Sequence, residues 1–88
     1  MELRLPDELR KRLVSTSAQF LPLAYLARQA LRRALDGEAG WEVDVTPGNS
    51  RPILLQLSTE EQARLDIWMT ARGVNAEVAV LSLISAVV

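Results

Sequence analysis

With 88 residues, 49% of them apolar and only 5% aromatic, the chain makes one small domain with a core of Leu, Val and Ala, a size that buries only about 60 to 65% of the unfolded surface. The absence of Cys and His excludes disulfides, thiolate chemistry, imidazole base catalysis and an ordinary zinc site; with neither a nucleophile–base pair nor a phosphate loop, no enzyme, metal or cofactor is expected. The net charge of −1 conceals an asymmetry, since residues 1–35 carry +4, residues 36–52 carry −3 and residues 53–88 carry −2, so only the first part of the chain offers a basic surface.

At the N-terminus there is no basic segment followed by a long apolar one, and no apolar run reaches the roughly 18 residues of a membrane span. The expectation is a soluble, cytoplasmic protein with no membrane partner. Residues 2–5 alternate, with Leu3 and Leu5 on one face and Glu2 and Arg4 on the other, the period of a half-buried strand. Pro6 and Asp7 open a helix with Leu9, Leu13, Ser17 and Phe20 inward and Glu8, Arg10, Lys11 and Arg12 on the wet side. Leu21-Pro22 interrupts it, and Pro22 suits the first position of a second helix. That helix carries an unbroken stripe through Leu23, Leu26, Ala27, Ala30, Leu31, Ala34 and Leu35 and ends at Gly37 and Gly40. Residues 37–52 then form an acidic linker, in which Trp41, Val43 and Val45 alternate with Glu42 and Asp44 as in a short extra strand before a turn at residues 46–50.

A second unit, residues 53–88, repeats the first, residues 1–36. ELRLPDELRKRL returns 52 positions later as LLQLSTEEQARL, matching Leu3 with Leu55, Leu5 with Leu57, Glu8 with Glu60, Arg12 with Arg64 and Leu13 with Leu65. Ile53, Leu55 and Leu57 share one face of a strand, opposite Leu54 and Gln56. Ser58 and Glu61 have capping-box spacing at the start of a helix. Leu65, Trp68 and Met69 continue its stripe to Gly73, a left-handed cap, and Asn75 caps the next helix. From Val78 to Val88 the chain is apolar except for Ser82 and Ser85, so this segment is either buried around most of its circumference or a strand. Leu13, Leu31, Leu65 and Ile84 lie on the inward stripes and should be almost fully buried.

Strand, helix, short turn, helix over about 35 residues resembles the ribbon-helix-helix family, whose Arc-like and MetJ-like members read the major groove with a β-ribbon. The second unit carries the resemblance best: an alternating strand ending in Leu57-Ser58, an immediate helix, Gly73 fifteen residues past Ser58, and the polar cap Asn75 two residues later. In the first unit RLPDELRKRL and ARQAL match, but one residue is missing and Phe20-Leu21-Pro22 replaces the glycine turn. A single unit leaves unpaired strand edges and an apolar helix face in water. In the family two chains solve this by pairing strands and interlocking helices. The expected fold is therefore mainly α with a short antiparallel β-ribbon, a tandem ribbon-helix-helix folded as an intramolecular pseudo-dimer, similar to the relaxosome accessory proteins that carry two such repeats.

The resemblance implies a DNA-binding protein, a transcriptional repressor or a plasmid relaxosome or partition factor, with double-stranded DNA as partner. The outward ribbon residues Glu2, Arg4, Leu54 and Gln56 would face the bases. Arg4 could pair with a guanine, Gln56 with an adenine, Leu54 with a thymine methyl and Glu2 with a cytosine amine. Asn75 and Val74, at the start of the last helix, hold the family's phosphate-anchoring place, and Arg10 and Arg12 are candidate phosphate contacts. Each residue also has a structural reading: Glu2, Arg4, Leu54 and Gln56 as solvated or protein-covered strand positions, Arg10 and Arg12 as a wet helix face, Asn75 as a cap. The pI of 5.3 and the few bases of the second unit suit instead a protein-binding adaptor or antitoxin-like module, and the apolar last helix a self-associating surface.

Overall fold

A computed structural model describes residues 1–16, 21–37 and 40–88. Among them are four helices and a two-stranded antiparallel sheet: β1 (Glu2–Leu3), α1 (Asp7–Ser15), α2 (Leu23–Asp36), β2 (Ile53–Leu54), α3 (Thr59–Arg72) and α4 (Ala76–Val87). The two strands belong to one chain and pair Glu2 with Leu54 and Leu3 with Ile53. Leu55 extends the ladder by exchanging two hydrogen bonds with Met1, at 2.8 and 2.7 Å. Alternation then does what the sequence implies: Leu3, Leu5 and Leu55 are buried, Ile53 and Leu57 half-buried, and Glu2, Arg4, Leu54 and Gln56 exposed.

The ribbon is shorter than the expected pairing of residues 2–5 with 53–57. Continuing the register brings Pro52 opposite Arg4 at a non-hydrogen-bonded position, since Met1–Leu55 and Leu3–Ile53 are the bonded pairs, and at the next bonded position the Leu5 carbonyl accepts from Ser50 Oγ instead of from the opposite strand. The Arg4 backbone is satisfied elsewhere: its N–H donates to Glu77 Oε2 at 2.8 Å and its carbonyl accepts from Gly48 N–H at 3.0 Å. Gly48 is required by this approach, because a Cβ there would lie 2.8 Å from both the Leu5 carbonyl oxygen and Pro6 Cα. Ser50 Oγ donates to the Leu5 carbonyl at 2.7 Å, fixing the same segment against the end of β1.

Helix α1 stops at Ser15, where the Ser15 and Thr16 hydroxyls donate back to the carbonyls of Arg12 and Leu13 at 2.8 and 2.6 Å. Ser17 and Phe20, read as the end of its stripe, lie outside the described residues. Pro22 is the cap before α2, one position earlier than expected, and Gly37 ends α2 at φ −91° rather than in the left-handed region. In α3, the Ser58–Glu61 capping box is formed in both directions, at 3.1 and 2.9 Å. Gly73 closes the helix at φ 66°, its N–H and that of Val74 both donating to the Met69 carbonyl. The chain turns by 97° between α3 and α4.

Residues 41–45 do not form the extra strand. Among the described residues no third strand lies beside them, so their alternation has no ladder to serve. Trp41 is buried instead, with its Nε1 donating to Asp44 Oδ1 at 2.7 Å, its ring 5.2 Å from that of Trp68, and the Arg72 guanidinium 4.7 Å above it while donating to the Trp41 carbonyl. Val45 N–H donates to Ser82 Oγ at 2.9 Å, which satisfies the one polar side chain buried in the middle of α4. Val43 points outward and is 77% exposed.

The core joins the two units rather than filling each separately. Helix α2 packs most extensively on α4, and Leu13, Leu31, Leu65 and Ile84 are all fully buried. Val78 to Val87 belongs to a helix whose Ala79, Val80, Leu81, Leu83 and Ile84 are spent on this core. The apolarity that suggested self-association is thus taken up within the chain, leaving Val78 and Val87 half-buried and Ala86 exposed. Two matched arginines tie the units crosswise. Arg12 of α1 donates to the carbonyls of Ser85 (2.9 Å) and Val88 at the end of α4, and Arg64 of α3 donates to the Leu35 carbonyl (2.8 Å) and Asp36 Oδ1 (2.6 Å) at the end of α2. A cation on the last carbonyls of a helix satisfies orphan acceptors and complements its dipole. Among the described residues no single helix is long and apolar enough to cross a membrane.

Candidate nucleic-acid interface

Strand alternation brings Glu2, Arg4, Leu54 and Gln56 to one outward surface. Glu2 and Leu54, which hold the same place in the two repeats, face each other across the ribbon. Arg4 lies toward one end of the strip and Gln56 toward the other. Leu54 is 63% exposed, an apolar side chain at the centre of a surface otherwise made of one acid, one base and one amide.

Arg4 does not stand alone. The carboxylate of Glu77, in the first turn of α4, accepts from three donors of this one residue: the backbone N–H (2.8 Å), Nε (3.3 Å) and Nη2 (2.9 Å). The guanidinium bonds hold the Glu77 carboxyl below the ordinary glutamate range against the opposing effect of burial, and the same carboxylate raises the Arg4 pKa. Side-chain exposure is 52% for Arg4 and 16% for Glu77, so the pair sits at the seam between ribbon and helix with the arginine on the wet side. Glu77 is the residue that the sequence reading missed. An acid in the first turn of the helix chosen as a phosphate anchor was the available signal.

At that anchor, Asn75 Oδ1 accepts from Val78 N–H at 2.9 Å and Val74 N–H is used at the end of α3. Both expected phosphate contacts are therefore engaged in helix termination, with Asn75 exposed and Val74 half-buried. Arg12 is half-buried and directed at the end of α4, whereas Arg10 is exposed with only a loose 3.9 Å approach to Asp7. Arg28 pairs with Glu61 at 3.2 Å, and Glu61 is held below the ordinary range chiefly by the Ser58 backbone N–H. Glu61 Oε1 takes both donors, while Oε2 is buried without a hydrogen-bond partner among the described residues.

Chemically, the outward strip can offer a guanidinium fork and an amide to base edges, and a methyl-rich side chain to a thymine. No protein-family model, curated protein or solved structure matches this chain.

Proposed function

We propose that the chain is a tandem ribbon-helix-helix protein, an intramolecular pseudo-dimer that binds double-stranded DNA and reads the major groove through Glu2, Arg4, Leu54 and Gln56. A repressor or a plasmid relaxosome or partition accessory factor would use such a module. The observation that carries the reading is the intrachain ribbon with its outward residues exposed: Glu2 and Leu54, matched in the repeats, are partners across it, as a twofold axis through the ribbon requires. The crossed contacts support the same axis, since Arg12 and Arg64 are matched residues and each reaches the end of the other unit's second helix. A two-stranded ribbon fits the roughly 12 Å width of the major groove.

A second reading, a protein-binding adaptor, draws on the charges. Arg4, Arg12, Arg28, Arg64 and Arg72 are all engaged within the chain, which leaves few cations for phosphates, and the centre of the ribbon is apolar. Guanine N7 methylation separates the two. If the ribbon enters the major groove, methylated duplexes are depleted from the bound fraction while a minor-groove ligand does not compete. Equal binding of methylated and unmethylated duplexes, or displacement by the minor-groove ligand, would refute groove reading by the ribbon.

A further inference from the structure

Resting on the DNA reading above, we propose that Glu77 is the specificity-determining partner of Arg4: it fixes the guanidinium by one edge so that the other edge reads a guanine, and its charge disfavours all DNA alike, a cost that only a site with guanine offsets. A guanidinium has two edges that can each make a paired contact. Glu77 takes the Nε–Nη2 edge through Nε–H and one hydrogen of Nη2, which leaves Nη1 and the second hydrogen of Nη2 to form the other edge. Guanine O6 and N7 present the two-acceptor geometry that this second edge matches. An unrestrained arginine loses much rotamer freedom when it is ordered on a base; one already held by a carboxylate loses less, so the contact is preorganised. The third bond, from the Arg4 backbone N–H to Glu77 at 2.8 Å, ties the carboxylate to the ribbon itself, so fork and strand move as one body.

The carboxylate also acts on DNA directly. It adds negative charge beside the start of α4, where a phosphate would otherwise be attracted. Its repulsion is felt by every duplex, whereas its orienting effect helps only a site with guanine in reach of Arg4. Selectivity thus comes from one favourable and one unfavourable contribution on the same residue. A residue that only stapled ribbon to helix would, when replaced, weaken binding to all duplexes together.

The test uses the intact chain. Duplexes are selected from a randomised pool, and binding is measured for the selected duplex, for the same duplex with its guanine replaced by 7-deazaguanine, and for a random duplex. The wild-type protein should lose about tenfold or more on 7-deaza substitution. Glu77→Gln should lose that sensitivity while binding random duplex severalfold more tightly. Arg4→Ala, which keeps the backbone bond to Glu77 but has no donor for guanine N7, should lose the 7-deaza sensitivity too. Retained sensitivity in Glu77→Gln, or an equal weakening on all duplexes, overturns the role assigned to Glu77 and leaves DNA binding standing. Binding without sequence preference by the wild type overturns it as well. Absence of binding to any duplex at low salt overturns the DNA reading and this inference together.

Discussion

Replacing Leu31 by Ala tests whether the two units share one core. Leu31 is fully buried in α2, and Ile84 is fully buried in α4. The substitution removes roughly three carbon groups at about 0.8 kcal/mol each, so transfer alone costs about 2.5 kcal/mol, and the cavity left in a helix interface raises the total to between about 3 and 5 kcal/mol. For a chain of 88 residues, total stability is between roughly 4 and 13 kcal/mol, so the variant forfeits a large share of it. Urea denaturation followed by helix circular dichroism and by tryptophan fluorescence reports on both units, because Trp41 and Trp68 adjoin the second one. The two signals should fall together at a midpoint lowered by about 2 to 3 M, given a slope near 1.5 kcal/mol/M. A loss below about 1 kcal/mol, or a fluorescence transition that stays put while helix is lost, would show that α2 and α4 do not support each other.

Other perturbations separate structural from binding roles. Gly48→Ala forces a backbone shift at the end of β1, because its Cβ would meet Leu5 and Pro6 main-chain atoms at 2.8 Å; a destabilisation of about 1 to 3 kcal/mol in thermal melts is expected. Arg12→Ala should cost about 1 kcal/mol of stability by uncapping α4, with loss of DNA affinity no larger than its loss of folded protein. Glu61 and Glu77 both titrate below the ordinary glutamate value when folded. They therefore contribute stability that is fully present above that value, about 4.3, and is lost as pH falls through their folded values. Melting temperature should decline below about pH 4.5, less steeply in Glu61→Gln and Glu77→Gln, and an acid limb unchanged by either substitution would refute this assignment.

Much of the fold was legible in the sequence because its signals are local. The alternation at Leu3, Leu5 and Leu55, the Ser58–Glu61 box, the Gly73 turn and the Asn75 cap each depend on residues a few positions apart, and each forms as expected. The features that escaped depend on where distant segments meet. The ribbon ends where Ser50 takes the Leu5 carbonyl, a contact between segments 45 positions apart, and the alternation of residues 41–45 reads as strand only until one sees that, among the described residues, no partner strand lies alongside. At the outward strip, periodicity identified which side chains point away from the helices. It carried no information on Glu77, 73 positions from Arg4 in the chain, nor on the use of Arg12 at the far end of α4. Charge counts treat every arginine as available, whereas folding assigns several of them to carbonyls and carboxylates of the same chain.

The most direct measurement of DNA binding is a salt titration with random-sequence duplex. Phosphate contacts release counterions, and log K falls with log salt by about 0.9 per phosphate neutralised. With the cations near the ribbon few and several others engaged, a slope between about −2 and −4 is expected, with measurable binding at about 50 mM salt that weakens about tenfold or more by about 200 mM. No binding at about 50 mM salt, or binding indifferent to salt, would contradict the account and turn attention to a protein partner for the exposed strip around Glu2 and Leu54.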